Sequence, residues 1–433
     1  MDLRDKIQNR TARLAIIGQG YVGLPLAVEF ARAGFRVSGL DSDAERVATL
    51  RRGASYIPDV APEELRRVIE AGCYAASSDV DVLAEQDVVI LCVPTPLRKS
   101  RDPDVSHVVA SARDVARFIA PGRLVVLEST TYPGTTEEVL LPMFEAGGLR
   151  AGRDFYLAFS PERIDPGNAT YRVKDIPKLV GGVTPECTRM AALLYRQIVA
   201  SVSELSSPMV AELAKLYENT FRSVNIALAN ELALICHHLG ASVWDVIEAA
   251  ATKPFGFMPF APGPGIGGHC IPIDPFYLSW KARLNGYEAK FIGLADEINR
   301  TMPRFVLELV NRALNDRGKP IRGARILVLG VAYKRGVGDV RESPALEIID
   351  ELRRRGAEVR YADPFVPGLE IGPQRLEAWR LEPAVLRWSD LALILTDHAE
   401  FDYAMVVDEA PAIVDTRNAT RGLADPHGKI VRL

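Results

Sequence analysis

Over its first two hundred residues the chain alternates short aliphatic runs with stretches in which apolar residues recur every three or four positions. Arg13–Ile17, Arg36–Leu40, Val88–Val93, Leu124–Glu128 and Phe155–Phe159 are largely apolar. Such runs mark strands buried on both faces of a parallel sheet. Leu24–Ala33 carries the helical period directly after the first of them. At Pro208 the pattern changes. From there to Leu239 the chain has no further Gly or Pro, is rich in Ala, Leu and Glu, and is stopped by Gly240, which predicts one long helix. The stretch after it carries Pro254, Pro259, Pro262, Pro264 and Pro272 with Gly256, Gly263, Gly265, Gly267 and Gly268. It can be neither helix nor central strand, and a long ordered loop inside a compact protein is usually functional. A second strand and helix series begins at Ala324–Gly330, runs through Glu358–Tyr361 and Leu391–Thr396, and closes near Ala412–Asp415. The expected fold is therefore α/β: two Rossmann-like, doubly wound parallel-sheet domains joined by a central helical region with one long helix. The expected boundaries are 1–205, 206–305 and 306–433.

Composition narrows the function classes. With 433 residues, 48% apolar and 25% charged, the chain is an ordinary globular protein too large for one core. Its 52 basic and 56 acidic residues leave a net charge of -4, so no broad basic surface is available for nucleic acid or anionic lipid. The longest apolar runs fall far short of the ~20 residues that span a bilayer. The charged start, Met1-Asp2-Leu3-Arg4-Asp5-Lys6, lacks the apolar stretch of a signal peptide, so a cytoplasmic location is expected. The five cysteines, Cys73, Cys92, Cys187, Cys236 and Cys270, form no CxxC pair and are expected as thiols. Four read as small buried hydrophobes. Cys270 does not.

The chemistry sits at strand ends and in the glycine-rich loop. Gly18-Gln-Gly20-Tyr-Val-Gly23 follows the first strand and opens a helix. Gly18 permits the tight turn, Gly20 lets the backbone approach a pyrophosphate, and Gly23 lets helix pack on strand. Asp41 closes the next strand about twenty residues on, where a carboxylate accepts ribose hydroxyls and repels a 2′-phosphate. NAD is thus preferred over NADP. Two further strand ends, Cys92–Pro96 and Glu128–Thr135, fall where such a sheet places its ligand crevice, although ordinary turns have the same composition. A third, Phe159–Glu162, carries a carboxylate that either positions a water or stays solvated. On the long helix Lys215, Asn219 and Arg222 share one face, which is either an oxyanion-binding stripe or the solvent side. Gly267 and Gly268 clear space beside the Cys270 thiol, while Pro272 and Pro275 stiffen the segment and hold Asp274 near it. A thiol of ordinary pKa ~8.5 is only a few per cent thiolate at neutral pH, so a catalytic one needs donors nearby, for which Lys215 and Asn219 are the candidates.

Taken in order, Gly18–Pro25, Ser129–Thr136, Ser160-Pro-Glu162, Lys215-xxx-Asn219, Gly267-Gly-His-Cys270-xxx-Asp274 and Gly330-Val-Ala-Tyr-Lys334 with Arg341-Glu-Ser-Pro344 resemble the UDP-glucose/GDP-mannose dehydrogenase family across nearly the whole chain. The resemblance implies an N-terminal NAD-binding domain, a central dimerisation region with the catalytic cysteine loop, and a C-terminal nucleotide-sugar domain. It implies a four-electron oxidation of the C6 alcohol of a nucleotide sugar to a carboxylate with two NAD⁺, and the long linking helix with an apolar face makes a homodimer the expectation. Cys270 is then the nucleophile, Lys215 and Asn219 stabilise oxyanions, Asp274 handles protons with a water, and Thr130 and Glu162 position water. Gly18, Gly20, Tyr21, Val22, Gly23, Asp41, Arg46, Pro94, Thr95, Thr130 and Arg341 are assigned to NAD. Glu162, Arg163, Lys215, Asn219, Arg222, Phe260, Gly263, Gly267 and Lys334 are assigned to the UDP-sugar.

In the UDP-glucose type a second glutamate follows the first by four positions, where this chain has Pro166. With Gly268-His-Cys-Ile-Pro-Ile-Asp-Pro-Phe-Tyr-Leu278, this resembles the branch acting on UDP-N-acetylhexosamines. UDP-N-acetylglucosamine is the first expectation, with UDP-N-acetylmannosamine and UDP-glucose behind it, and Pro166 takes no cofactor role. A two-electron 3-hydroxy-acid dehydrogenase would need neither Cys270, Asp274 nor the second α/β series. A non-catalytic NAD-responsive binding protein would tolerate loss of Cys270. No metal site is expected: His237 and His238 are adjacent and read as a helix end, and His269 lacks spaced partners.

Overall fold

A computed structural model describes residues 1–98, 100–163 and 173–433. The Pro166 position that bears on substrate choice lies outside the described residues. The chain divides into two compact units, 1–218 with 276–287, and 219–275 with 288–433.

The first unit is built on an eight-stranded sheet. Its strands are β1 (Arg13–Ile17), β2 (Arg36–Leu40), β3 (Tyr74–Ser77), β4 (Val88–Leu91), β5 (Leu124–Leu127), β6 (Tyr156–Phe159), β7 (Lys178–Gly182) and β8 (Val202–Leu205). The spatial order is β3-β2-β1-β4-β5-β6-β7-β8. From β3 to β6 every pairing is parallel, whereas β6 and β7 are antiparallel, so β7 and β8 run the other way. The β1 to β4 step reverses the strand order, and ligands of open α/β sheets bind beyond the carboxyl ends of the strands at such a switch. Every residue of β4 and β5 is buried, as a sheet covered on both faces requires. One face packs Leu24, Leu26, Phe30 and Tyr195, the other Phe144, Phe155 and Leu140.

The second unit carries a parallel sheet of β9 (Arg325–Leu329), β10 (Glu358–Ala362), β13 (Leu391–Ile394), β14 (Ile413–Asp415) and β15 (Ile430–Arg432), in the order β10-β9-β13-β14-β15. Between β10 and β13 lies a hairpin of β11 (Gly368–Ile371) and β12 (Gln374–Glu377). The helix Lys290–Asn315 contains a buried proline, Pro303. Proline has no N–H, so the Asn299 carbonyl one turn back loses its helical donor, and Gly265 packs close enough that a Cβ there would sit 3.4 Å from that oxygen.

The long helix spans Pro208–Leu239, and the division between units falls within it. It buries Ala211, Leu216, Ala227, Ala233 and Cys236 on one side and leaves further apolar residues in solvent. Lys215 and Asn219 are buried, whereas Leu213, Tyr217, Phe221, Leu228 and Ile235 are exposed. Of the three residues read as one polar stripe, Arg222 is exposed and does not join the other two.

Candidate active site

The glycine loop of the first unit has the shape its motif demands. Gly18 sits at φ +93° and donates its N–H to the Leu40 carbonyl at 2.7 Å. A Cβ on Gly18 would overlap the Cys92 carbonyl, and one on Gly23 the Gly18 carbonyl oxygen. Around Gly20 there is open space on the side a Cβ would occupy. Two glycines are thus consumed by packing and one is left bare, which fits the close approach of a dinucleotide pyrophosphate to the mouth of the helix Gly23–Arg32.

Asp41, just past β2, accepts the Gln19 and Asp43 N–H groups, each at 2.9 Å, and Arg46 approaches it at 3.9 Å. Its carboxylate therefore braces the loop, and each oxygen retains a second lone pair for a ribose hydroxyl. Gln19 is fully buried, with the Tyr74 hydroxyl donating to its side-chain oxygen and the Tyr56 hydroxyl to its carbonyl. Burial, reinforced by the Asp41 charge, pushes the Tyr56 phenol up to about 12, so it stays a donor. Tyr21 is exposed at this loop and Val22 half-buried.

The strand-end segments are more than turns. The Thr95 carbonyl accepts from Tyr277 at 3.0 Å, and Thr95 is buried while Pro94 is exposed. Beyond β5, Glu212 of the long helix accepts the N–H groups of Gly134 and Thr136 and the Thr136 hydroxyl, which fixes the turn just after the half-buried Thr130. Glu162, past β6, receives the Arg163 N–H at 2.6 Å and the Lys178 ammonium at 3.2 Å. The Arg163 guanidinium lies on Glu218, at 2.6 and 3.1 Å.

In the second unit, Cys270 is the exposed cysteine; Cys92, Cys187 and Cys236 are buried and Cys73 is half-buried. The Cys270 carbonyl accepts from the Asp274 N–H at 2.8 Å, so thiol-bearing residue and carboxylate sit on one tight turn at the start of the helix Asp274–Leu284. Asn219 donates to the Asp274 carboxylate. Upstream, the Gly263 N–H goes to Asn230, which is fully buried and bonded to Asn299, so the loop is tethered to two helices. Phe260 meets Phe221 edge to face at 5.8 Å. Gly267 and Gly268 are required by Tyr333, and the Gly268 N–H donates to the Arg341 carbonyl at 3.0 Å. The Arg341 guanidinium is paired with Asp339 at 2.6 Å.

The turn bearing Lys334 repeats the construction of the first glycine loop. Gly330 sits at φ +79° where a Cβ would overlap the Thr396 carbonyl, and Asp363, just past β10, accepts the N–H groups of Val331 and Ala332. Asp363 also accepts from Phe365 and Val366 and meets His398 Nε2 at 3.1 Å, so it is far more fully engaged than Asp41. Arg417 lies so close to Gly263 that a Cβ there would be 2.6 Å from Nη1, and its Nε donates to the Leu395 carbonyl.

Sequence reasoning passed over Gln19, Glu212, Asn230, Lys178, Asp363 and Arg417. Gln19 fills a variable position of the glycine motif and the others belong to no spacing motif; each acts through partners distant in sequence. Among the described residues no cluster of His, Cys, Asp and Glu could hold a metal ion, and no helix is long and apolar enough to cross a membrane.

The sequence matches the UDP-glucose/GDP-mannose dehydrogenase family in its NAD binding domain over residues 12–199, its central domain over 209–301 and its UDP binding domain over 327–422. It is 39% identical to the UDP-N-acetyl-D-mannosamine dehydrogenase of Pyrococcus horikoshii over 90% of each chain. It is also 39% identical to the UDP-N-acetyl-D-glucosamine 6-dehydrogenase of Pseudomonas aeruginosa, over 82% of this chain and 83% of that one. The solved UDP-D-ManNAc dehydrogenase of Pyrococcus horikoshii superimposes with a TM-score of 0.87 at 36% identity, covering 97% of this chain and 98% of that one. The chain therefore belongs to the UDP-glucose/GDP-mannose dehydrogenase family and is an NAD-dependent nucleotide-sugar dehydrogenase.

Proposed function

We propose that the protein oxidises the C6 alcohol of UDP-N-acetylglucosamine to the carboxylate in two successive steps on one bound sugar. The observation that carries this reading is an exposed cysteine on the same turn as a buried carboxylate that is itself hydrogen-bonded to a buried asparagine. NAD⁺, when bound, accepts the hydride that leaves C6 in each step.

In the first step the C6 hydroxyl loses its proton to a water held by Asp274, and the developing oxyanion takes hydrogen bonds from Lys215 and Asn219. Preorganised donors of this kind are worth ~3 kcal/mol each. The Cys270 thiolate then adds to the aldehyde carbon, forming a C–S bond and a thiohemiacetal that keeps the half-oxidised sugar from diffusing away. Loss of the second hydride leaves a thioester. A water placed by Thr130 and Glu162 attacks its carbonyl, the C–S bond breaks, and the carboxylate leaves with Cys270 restored. Lys334 and Arg417 supply positive charge for the diphosphate of the nucleotide.

The acetamido assignment rests on Pro166 and on relatives named for N-acetylhexosamine substrates. The Pyrococcus horikoshii similarity favours UDP-N-acetylmannosamine, the C2 epimer, as the second reading. Counting NADH formed per sugar with UDP-N-acetylglucosamine, UDP-N-acetylmannosamine and UDP-glucose in parallel decides among them. Two per sugar with the first and negligible turnover of the others supports the proposal; a preference for either other sugar removes the assignment.

The exposed apolar side of the long helix supports a homodimer. Leu213, Tyr217, Phe221, Leu228 and Ile235 form an apolar stripe that a monomer would leave in water. A molar mass of two chains in solution is expected, falling to one chain on Leu228→Asp.

A further inference from the structure

Lys178 is the first residue of β7, and β7 runs against β6. The parallel strands bring their last residues to the ligand edge of the sheet, so the reversed strand brings its first residue there. The register pairs Ala158 with Gly182 and Phe159 with Gly181; continued along both strands, it sets Glu162 opposite Lys178.

The Lys178 ammonium is 3.2 Å from Glu162 Oε2 and 3.0 Å from Glu128 Oε1, with only 6% of its side chain exposed. Glu128 is wholly buried, and Tyr195 donates to the same Glu128 oxygen at 2.5 Å while its ring centre lies 5.2 Å from the ammonium. Among the described residues, Cys92, past β4, and Arg163, whose guanidinium is held by Glu218, also face Glu162. Burial alone would drive the Lys178 proton off, but Glu128 and Glu162 outweigh it and hold the lysine cationic. Burial, with the Glu128 charge, pushes the Cys92 thiol well up, so it stays neutral.

A buried ion pair is a poor device for stability alone, since desolvation consumes most of its attraction. This one joins a residue at the far end of the sheet's ligand edge to the carboxylate that the reaction uses. We propose that Lys178 is a positioning residue that fixes the Glu162 carboxylate in place and in its charged form for water attack on the thioester. The inference rests on the role given to Glu162 in the proposed function.

Without the ammonium, Glu128 and Glu162 would share a dry pocket as like charges, and one of them would take a proton. Glu162 would also lose the opposite charge that favours its carboxylate, and so would be ionised only at higher pH. The test compares the pH dependence of kcat in the parent, Lys178→Met, Lys178→Arg, the double variant Lys178→Met/Glu128→Gln, and Glu162→Gln. Lys178→Met is expected to move the acidic limb upward by about one unit, a loss of about ten-fold below it. Lys178→Arg is expected to bring the limb back by restoring the cation, and the double variant to keep it raised, because it still lacks the cation and a neutral glutamine stands in for the buried Glu128 that protonates first. The double variant, which buries no unpaired lysine or second carboxylate, also keeps the comparison available if Lys178→Met folds poorly. An unmoved limb in Lys178→Met, with Glu162→Gln strongly slowed, would overturn the role of Lys178 alone. An undiminished rate in Glu162→Gln would overturn the role of Glu162 itself, and with it this inference.

Discussion

Asn219 donates from Nδ2 to Oδ2 of Asp274 at 2.5 Å, and Asp274 donates its own N–H to the Cys270 carbonyl at 2.8 Å. A residue on the long helix is thereby locked to the turn that carries the thiol. The bond fixes which end of the amide faces the carboxylate and leaves its second N–H to donate elsewhere.

That relationship predicts a difference between two substitutions at Asn219. Asn219→Asp would put a second carboxylate against Asp274, and the pair would hold a shared proton. Asn219→Ala would remove the donor without adding charge. Both should lower kcat by about 10²–10³, the usual cost of one oxyanion donor. Only Asn219→Asp should add a new ionisation to the pH–rate profile. Equal pH dependence in the two variants would show that the contact with Asp274 is immaterial.

The two outer glycines of the first loop and the middle one should fail differently. Gly23→Ala forces a methyl against the Gly18 carbonyl, so the fold itself should lose about 1–3 kcal/mol, the usual cost of overpacking. Gly20→Ala meets only open space and should melt at the parent temperature. Its NAD affinity should nonetheless fall, because the methyl occupies the side left clear for a pyrophosphate. Thermal melts and NAD titration separate the two effects, and parent-like NAD binding by Gly20→Ala would remove that residue from the cofactor site.

Much of this was legible in the sequence wherever a local pattern decides the structure. The long helix falls on Pro208–Leu239 as its Gly and Pro boundaries predict, and β1 and β2 have the expected ends. Cys270 stood out because glycines crowd around it, and the structure leaves it exposed. β7 was not legible: it begins with a lysine, ends in two glycines, and owes its place to pairing with β6 rather than to its own period. The helix Lys290–Asn315 carries a proline that ordinarily argues against a helix interior, and tertiary burial overrides it. At Arg222 the i, i+7 spacing from Lys215 falls only about 20° short of two whole turns, yet the side chain lies in solvent, because periodicity gives a direction around the helix and not the depth of burial.

Asp363 braces the second glycine turn, and its pKa lies below the ordinary carboxylate range. Burial pushes the other way, but hydrogen bonds from His398 and from the backbone N–H groups of Val331 and Phe365 outweigh it. His398 Nδ1 accepts from Gly336, so Nε2 carries the proton toward Asp363. A depressed folded-state pKa adds stability in full above the unfolded value of ~3.9 and loses it as pH falls through the folded value. Asp363→Asn should therefore lower Tm at pH 7, with the deficit shrinking below about pH 4. A deficit that stays constant down to pH 3 would show that the charge of Asp363 contributes nothing.

The most direct measurement is a single-turnover reaction of Cys270→Ser with saturating NAD and UDP-N-acetylglucosamine, in which nucleotide products and NADH are counted together. The covalent account predicts no uronate and at most one slow equivalent of NADH per site, while the parent yields two equivalents and the acid. Formation of the acid by the serine variant at the parent rate would contradict it.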